Sequence, residues 1–82
     1  MNLNIERALG STLYDYRKRQ GLSQEALAEK AGLDRSYISI LERGLKSPTL
    51  ATLERVCEKL GVLPEEVIRE ARARLKPGKG GR

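Results

Sequence analysis

The stretch SQEALAEKAGLDRSYISILERG, residues 23–44, decides how this chain folds. Ser23 is a good helix N-cap, and Leu27, Ala28 and Ala31 recur at the spacing of one helical face before Gly32 interrupts the pattern. Only Gly32 and Leu33 then separate this segment from Asp34, a second capping residue, after which Ile38 and Leu41 share a face and Gly44 stops the run. The spacing predicts two short helices, about 24–31 and 35–43, joined by a very tight reversal. Such helices cross closely only if the contact residue on the first is small, as Ala28 is. The reversal needs a residue free to turn left-handed, as Gly32 is. Ile38 supplies the buried anchor of the second helix.

Outward from this pair, Ile5, Leu9, Leu13 and Tyr16 define a helix over about 5–20, with Asn4 as cap and Gly21 as terminator. Downstream, Ser47-Pro48-Thr49 reads as a turn ending in an N-cap, followed by Leu50, Leu53, Val56, Cys57 and Leu60, then Gly61. Pro64 suits a first helical position, and Glu65 and Glu66 complement the positive end of a helix dipole, so a fifth helix carries Val67, Ile68, Ala71 and Leu75. The fold class is therefore all-α with five helices, as one domain over residues 1–75. Residues 76–82, PGKGGR preceded by Lys76, have nothing to bury and are expected to form a disordered basic tail.

Composition narrows function. Eighty-two residues hold one core and no large cleft, and with no Trp or Phe that core is Leu, Ile, Val and Ala. One Cys and no His exclude an internal disulfide, a zinc site and nucleophile–His catalysis; no metal and no cofactor is expected. Cys57 falls in a buried helical stripe and reads as core. A free thiol, the lack of a signal peptide and the lack of a membrane span lead to the expectation of a cytoplasmic protein. No paired carboxylates or phosphate-cradling glycine loop support an enzyme, and the aromatic platforms of single-stranded RNA binders are missing.

The net charge of +5 invites a nucleic-acid reading. Yet residues 69–82 hold six basic residues against Glu70 alone, while residues 1–68 hold ten of each sign and sum to zero. Net charge therefore describes the C-terminal end, and the tail reads either as a solvated run or as a source of salt-sensitive affinity.

Two helices and a glycine turn occur in many helical proteins, so the wider pattern has to carry the assignment. Tyr16-Arg17, Gly21-Leu22-Ser23-Gln24, Leu27-Ala28, Gly32-Leu33, Tyr37-Ile38-Ser39, Leu41-Glu42-Arg43-Gly44, Pro48-Thr49-Leu50, Leu53 and Leu60-Gly61-Val62 resemble the Cro and phage-repressor type helix-turn-helix family over residues 9–63 without a gap. Leu33 to Ser39 further resembles the small controller proteins of restriction–modification systems. The resemblance implies a lambda-repressor-like domain, a transcription-regulating role on double-stranded DNA, and the helix over 35–43 as the recognition helix.

A helix of this width fits the major groove with its N-terminal residues at base edges. Arg35 and Ser36 are the leading readers, and an arginine can hold guanine O6 and N7 together. Ser39 donates to a base or phosphate; Tyr37 meets a phosphate or thymine methyl, or packs beside the preceding helix. By the resemblance, Gln24 clamps a phosphate, aided by the helix N-terminus, and braces a side chain of the recognition helix, while Arg43, Lys46 and Ser47 form a second clamp. Arg17 and Glu42 match positions that form a structural ion pair. Ile40 departs from the family, where a polar residue is frequent.

One recognition helix buries little DNA, so a homodimer on paired half-sites is expected. Leu63, Val67, Ile68 and Ala71 are the candidate dimer surface, being apolar area in excess of what one short helix buries. The expected mechanism is repression; activation stays open, because Glu25 and Glu29 lie where relatives present acidic residues to RNA polymerase. The competing reading is an antitoxin-like protein-interaction module that also binds DNA.

Overall fold

In the computed structural model, which describes residues 4–75, the chain forms five helices: α1 (Ile5–Arg19), α2 (Gln24–Ala31), α3 (Arg35–Glu42), α4 (Leu50–Leu60) and α5 (Pro64–Arg74). No strand occurs among the described residues. The proposed basic tail lies outside them.

Local chemistry sets the boundaries. Asn4 accepts from the Arg7 amide, Ser23 from Ala26 and Thr49 from Thr52, so three helices begin on a side-chain cap. Pro64 opens α5, where its missing N–H would have had no partner. Asp34, expected to cap α3, stands at the cap position with extended backbone but makes no capping hydrogen bond. Helices α2 and α4 end on Gly32 and Gly61 in the left-handed region, at φ 70° and 71°.

Leu13 of α1, Leu27, Ala28 and Ala31 of α2, Ile38 of α3, and Leu53, Val56, Cys57 and Leu60 of α4 meet in a single core closed by Val67 of α5. The fifth helix packs mainly along α1. Two further contacts fasten it there: the Tyr16 hydroxyl donates to Glu70 at 2.7 Å, and Arg74 bridges Asp15 and Ser11. Accepting that bond, the Glu70 carboxylate holds the Tyr16 phenol above its ordinary pKa.

This packing corrects part of the sequence reading. Val67 and Ala71, assigned to a dimer surface, are wholly buried within their own chain. An 11-residue helix lying along a 15-residue one buries more of its apolar stripe than the stripe's length alone suggests. Leu63 and Ile68, the other two positions, remain 58% and 39% exposed.

Candidate nucleic-acid interface

The α2–α3 pair is built from the residues that demand it. Gly32 reverses the chain, with Leu33 N–H donating to Ala28 at 2.8 Å, and three residues suffice to join the helices. Ala28 and Ile38, 2% and 1% exposed, occupy the crossing. With Ile38 and Leu41 facing inward, the opposite side of α3 is left outside: Arg35 and Ser36 are exposed, and Tyr37, Ser39 and Ile40 are half-buried.

A buried polar hub holds this face in place. Arg17 donates from Nε to Glu42 at 2.6 Å and from Nη2 at 2.9 Å, while its Nη1 donates to the Leu22 carbonyl at 2.7 Å. Both side chains are nearly solvent-free, at 7% and 4% exposure. The Glu42 carboxylate raises the Arg17 pKa further above its ordinary value, outweighing the opposing effect of burial. Gln24 joins the hub, donating from Nε2 to Glu42 at 3.0 Å. One carboxylate thus ties together the end of α1, the α1–α2 turn, the first residue of α2 and the last of α3. Since the carboxamide nitrogen carries two hydrogens, the bond to Glu42 leaves Gln24 one donor outward.

That donor borders a hollow at the N-terminus of α2, where Lys18, Ser23, Gln24 and Arg35 meet with one carboxylate, Glu25, at its edge. The amides of the first helical turn supply partial positive charge here, so the hollow suits an anion although the body of the protein is electrically balanced. Sequence reading missed Lys18. Its only local signal is the run Arg17-Lys18-Arg19 at the end of α1, of which Arg17 is buried and Lys18 lies with Arg17 over the exposed Tyr14 ring, at 5.9 and 5.2 Å.

The α3–α4 loop places the other expected phosphate ligands unevenly. Lys46 is exposed, Arg43 reaches back to the Ser39 carbonyl at 3.4 Å, and the Ser47 hydroxyl donates to Glu6 at 3.0 Å. Arg43 and Lys46 thus stand at the surface beside the end of α3, and Ser47 is turned toward α1. No described helix is long and apolar enough to cross a membrane.

These features define a helix-turn-helix domain with its second helix presented to solvent. A family model for Helix-turn-helix (HTH_3) matches residues 13–67, and the chain belongs to that family. It is 33% identical over 66 residues to the uncharacterized HTH-type transcriptional regulator y4dJ of Sinorhizobium fredii, covering 80% of this chain and 86% of the relative. The clp gene regulator ClgR of Corynebacterium glutamicum has a similar structure, with a TM-score of 0.88 and 32% identity over 93% of this chain and 97% of that one. SinR, a master regulator for biofilm formation solved in complex with DNA, matches with a TM-score of 0.70 and 39% identity over 73% of this chain and 97% of the SinR chain. Phage repressors and restriction–modification control proteins are also among the relatives. The chain spans 43% of the immunity repressor of Bacillus phage phi105 and 57% of SinR from Bacillus licheniformis.

Proposed function

We propose that this protein is a sequence-specific transcriptional regulator that binds duplex DNA as a homodimeric repressor, with α3 in the major groove. The observation that carries this reading is the outward side of α3, with Arg35 and Ser36 exposed beside the cationic hollow at the α2 N-terminus. A helix in the groove would meet base edges while an anion site at the start of the neighbouring helix meets a backbone phosphate. Arg35, Ser36 and Ser39 read base edges, with Tyr37 at a phosphate or thymine methyl. Gln24 and Lys18 hold one phosphate, and Arg43 and Lys46 the next, with Ser47 reaching it only if its bond to Glu6 opens.

Two copies on half-sites about one helical turn apart supply the contact area a single domain lacks. Leu63 at the N-cap of α5 and Ile68 within it, both exposed, form the centre of the dimer contact. The exposed carboxylates of Glu25 and Glu29 on α2 are the surface open to RNA polymerase. The protein works by binding rather than catalysis, in the cytoplasm where its DNA lies.

Selecting bound sequences from a random duplex library tests the reading. A two-fold symmetric enriched motif is expected; no enrichment would overturn DNA readout and leave an interaction role.

A further inference from the structure

Four residues stand at helix N-caps with a side chain of capping chemistry, and Asp34 departs from the other three. Asn4, Ser23 and Thr49 each accept a backbone amide of the helix they open, whereas the Asp34 carboxylate accepts none. Asp34 is exposed, and among the described residues its side chain takes part in no hydrogen bond or ion pair. Arg35, the next residue, is exposed and likewise unengaged. An anionic acceptor and a cationic donor thus stand side by side at the leading end of α3 without neutralising each other. Both border a hollow against α2 with Glu25 and Glu29; Asp34 also borders that between α3 and α4 with Tyr37 and Thr52, and Arg35 that at the start of α2.

On the proposed reading of α3 as the recognition helix, we infer that Asp34 is a specificity-determining residue that selects cytosine in the major groove by accepting a hydrogen bond from its exocyclic N4 amine. A carboxylate brought to DNA faces phosphate repulsion everywhere except at a base-edge donor. The major groove offers two such donors, cytosine N4 and adenine N6. Adenine sets its N7 acceptor beside N6, which repels a second acceptor-only group, while cytosine has only a C–H beside N4. Cytosine is therefore the preferred partner. Arg35 complements it, because its guanidinium takes guanine O6 and N7 on the same or the adjoining base pair. The pair reads a G·C position with opposite charges on opposite partners.

The test repeats the random-library selection with the wild-type protein, Asp34→Asn and Asp34→Ala, and records thermal melting of each. The wild type is expected to enrich a cytosine at one position of each half-site, with about tenfold preference over other bases. Asp34→Ala should lose that preference at that position alone and keep the rest of the motif. Asp34→Asn, which keeps the shape and can also donate, should change the preferred base there. A motif identical in all three proteins overturns the inference. So does uniform weakening at every position alongside a lower melting temperature, since that outcome makes Asp34 a helix-stabilising charge and nothing more. Should Asp34→Ala fail to fold, Asp34→Asn decides by the same criterion. A wild-type selection with no enriched motif strikes the DNA reading itself, which keeps the two failures apart.

Discussion

Glu42 shows how much a single side chain carries. Its carboxylate serves Arg17 and Gln24 and is almost solvent-free. Removing it strands the Arg17 guanidinium in a desolvated site and frees Gln24 from its orientation. Glu42→Ala should cost about 3–5 kcal/mol and lower the melting temperature sharply; an unchanged thermal melt would remove the hub from the account of stability. The Arg17–Glu42 pairing was legible in the sequence through the family pattern, and so was Gln24 as a phosphate clamp that also braces a side chain of the second helix, but not that the braced side chain is Glu42 itself. Its bond to Glu42 spans 18 residues, and no local periodicity reports a contact of that kind. Cys57 was legible outright, since its place in the Leu53, Val56, Leu60 series makes it core. Burial pushes its thiol pKa up to about 11 from 9.0. The unfolded chain therefore loses this proton first, so the thiol's contribution to stability is complete below pH 9.0 and is lost as pH rises toward about 11. At pH 8 a thiol reagent should label Cys57 only as fast as the domain opens, with urea restoring rapid labelling. Fast labelling of the folded protein would show that the α4 stripe is not closed.

At the scale of elements, all five helices and both ends of the α2–α3 turn were legible, because caps, glycines and apolar spacing are local signals. What was not legible is how closely the helices approach. Gly10 sits inside α1 and is buried; a Cβ built there would meet the Leu41 carbonyl and lie 2.6 Å from the carbonyl oxygen of Glu42. The last turn of α3 thus presses backbone to backbone against α1, just where Arg17 reaches Glu42. A glycine in the middle of an otherwise favourable helix was the available clue. Gly32 differs: it needs its left-handed φ, but a Cβ there meets nothing within 4 Å. Gly32→Ala should therefore cost about 1–2 kcal/mol of conformational strain. Gly10→Ala must force the helices apart and should cost more, about 3 kcal/mol. Urea melts of the two variants compare them directly, and equal costs would contradict the close approach of α1 and α3. Because Gly10 lies against the end of α3, the helix proposed to enter the major groove, its replacement should also weaken DNA binding more than its effect on stability alone implies.

For the whole molecule, the decisive quantity is where charge sits relative to the DNA-facing side. Residues 1–68 are neutral overall, so on the proposed reading their affinity for DNA comes from local placement: the hollow at α2, the cations after α3, and the donors along α3. The opposite charges at Asp34 and Arg35 make the leading end of α3 a poor generic polyanion binder and a better discriminator. Residues 76–82 carry three more cations, Lys76, Lys79 and Arg82, outside the described residues. Every cation that neutralises a phosphate releases counterions and steepens the salt dependence of binding by about 0.9 in logarithmic slope. Two designs of complex then predict different numbers. If the C-terminal cations engage the backbone, deleting residues 76–82 should flatten the slope by up to about 2.7 per protomer and weaken all duplexes alike, without altering the selected motif. If the helical body alone makes the contacts, slope and motif both stay as they were. Fluorescence anisotropy titrations of the full chain and the truncated one, run from low to physiological salt on the selected site and on an unrelated duplex, separate the cases. Specificity held by α3 predicts that the ratio of the two affinities is the same for both proteins at each salt concentration, and a ratio that falls on truncation would place part of the sequence readout in the tail.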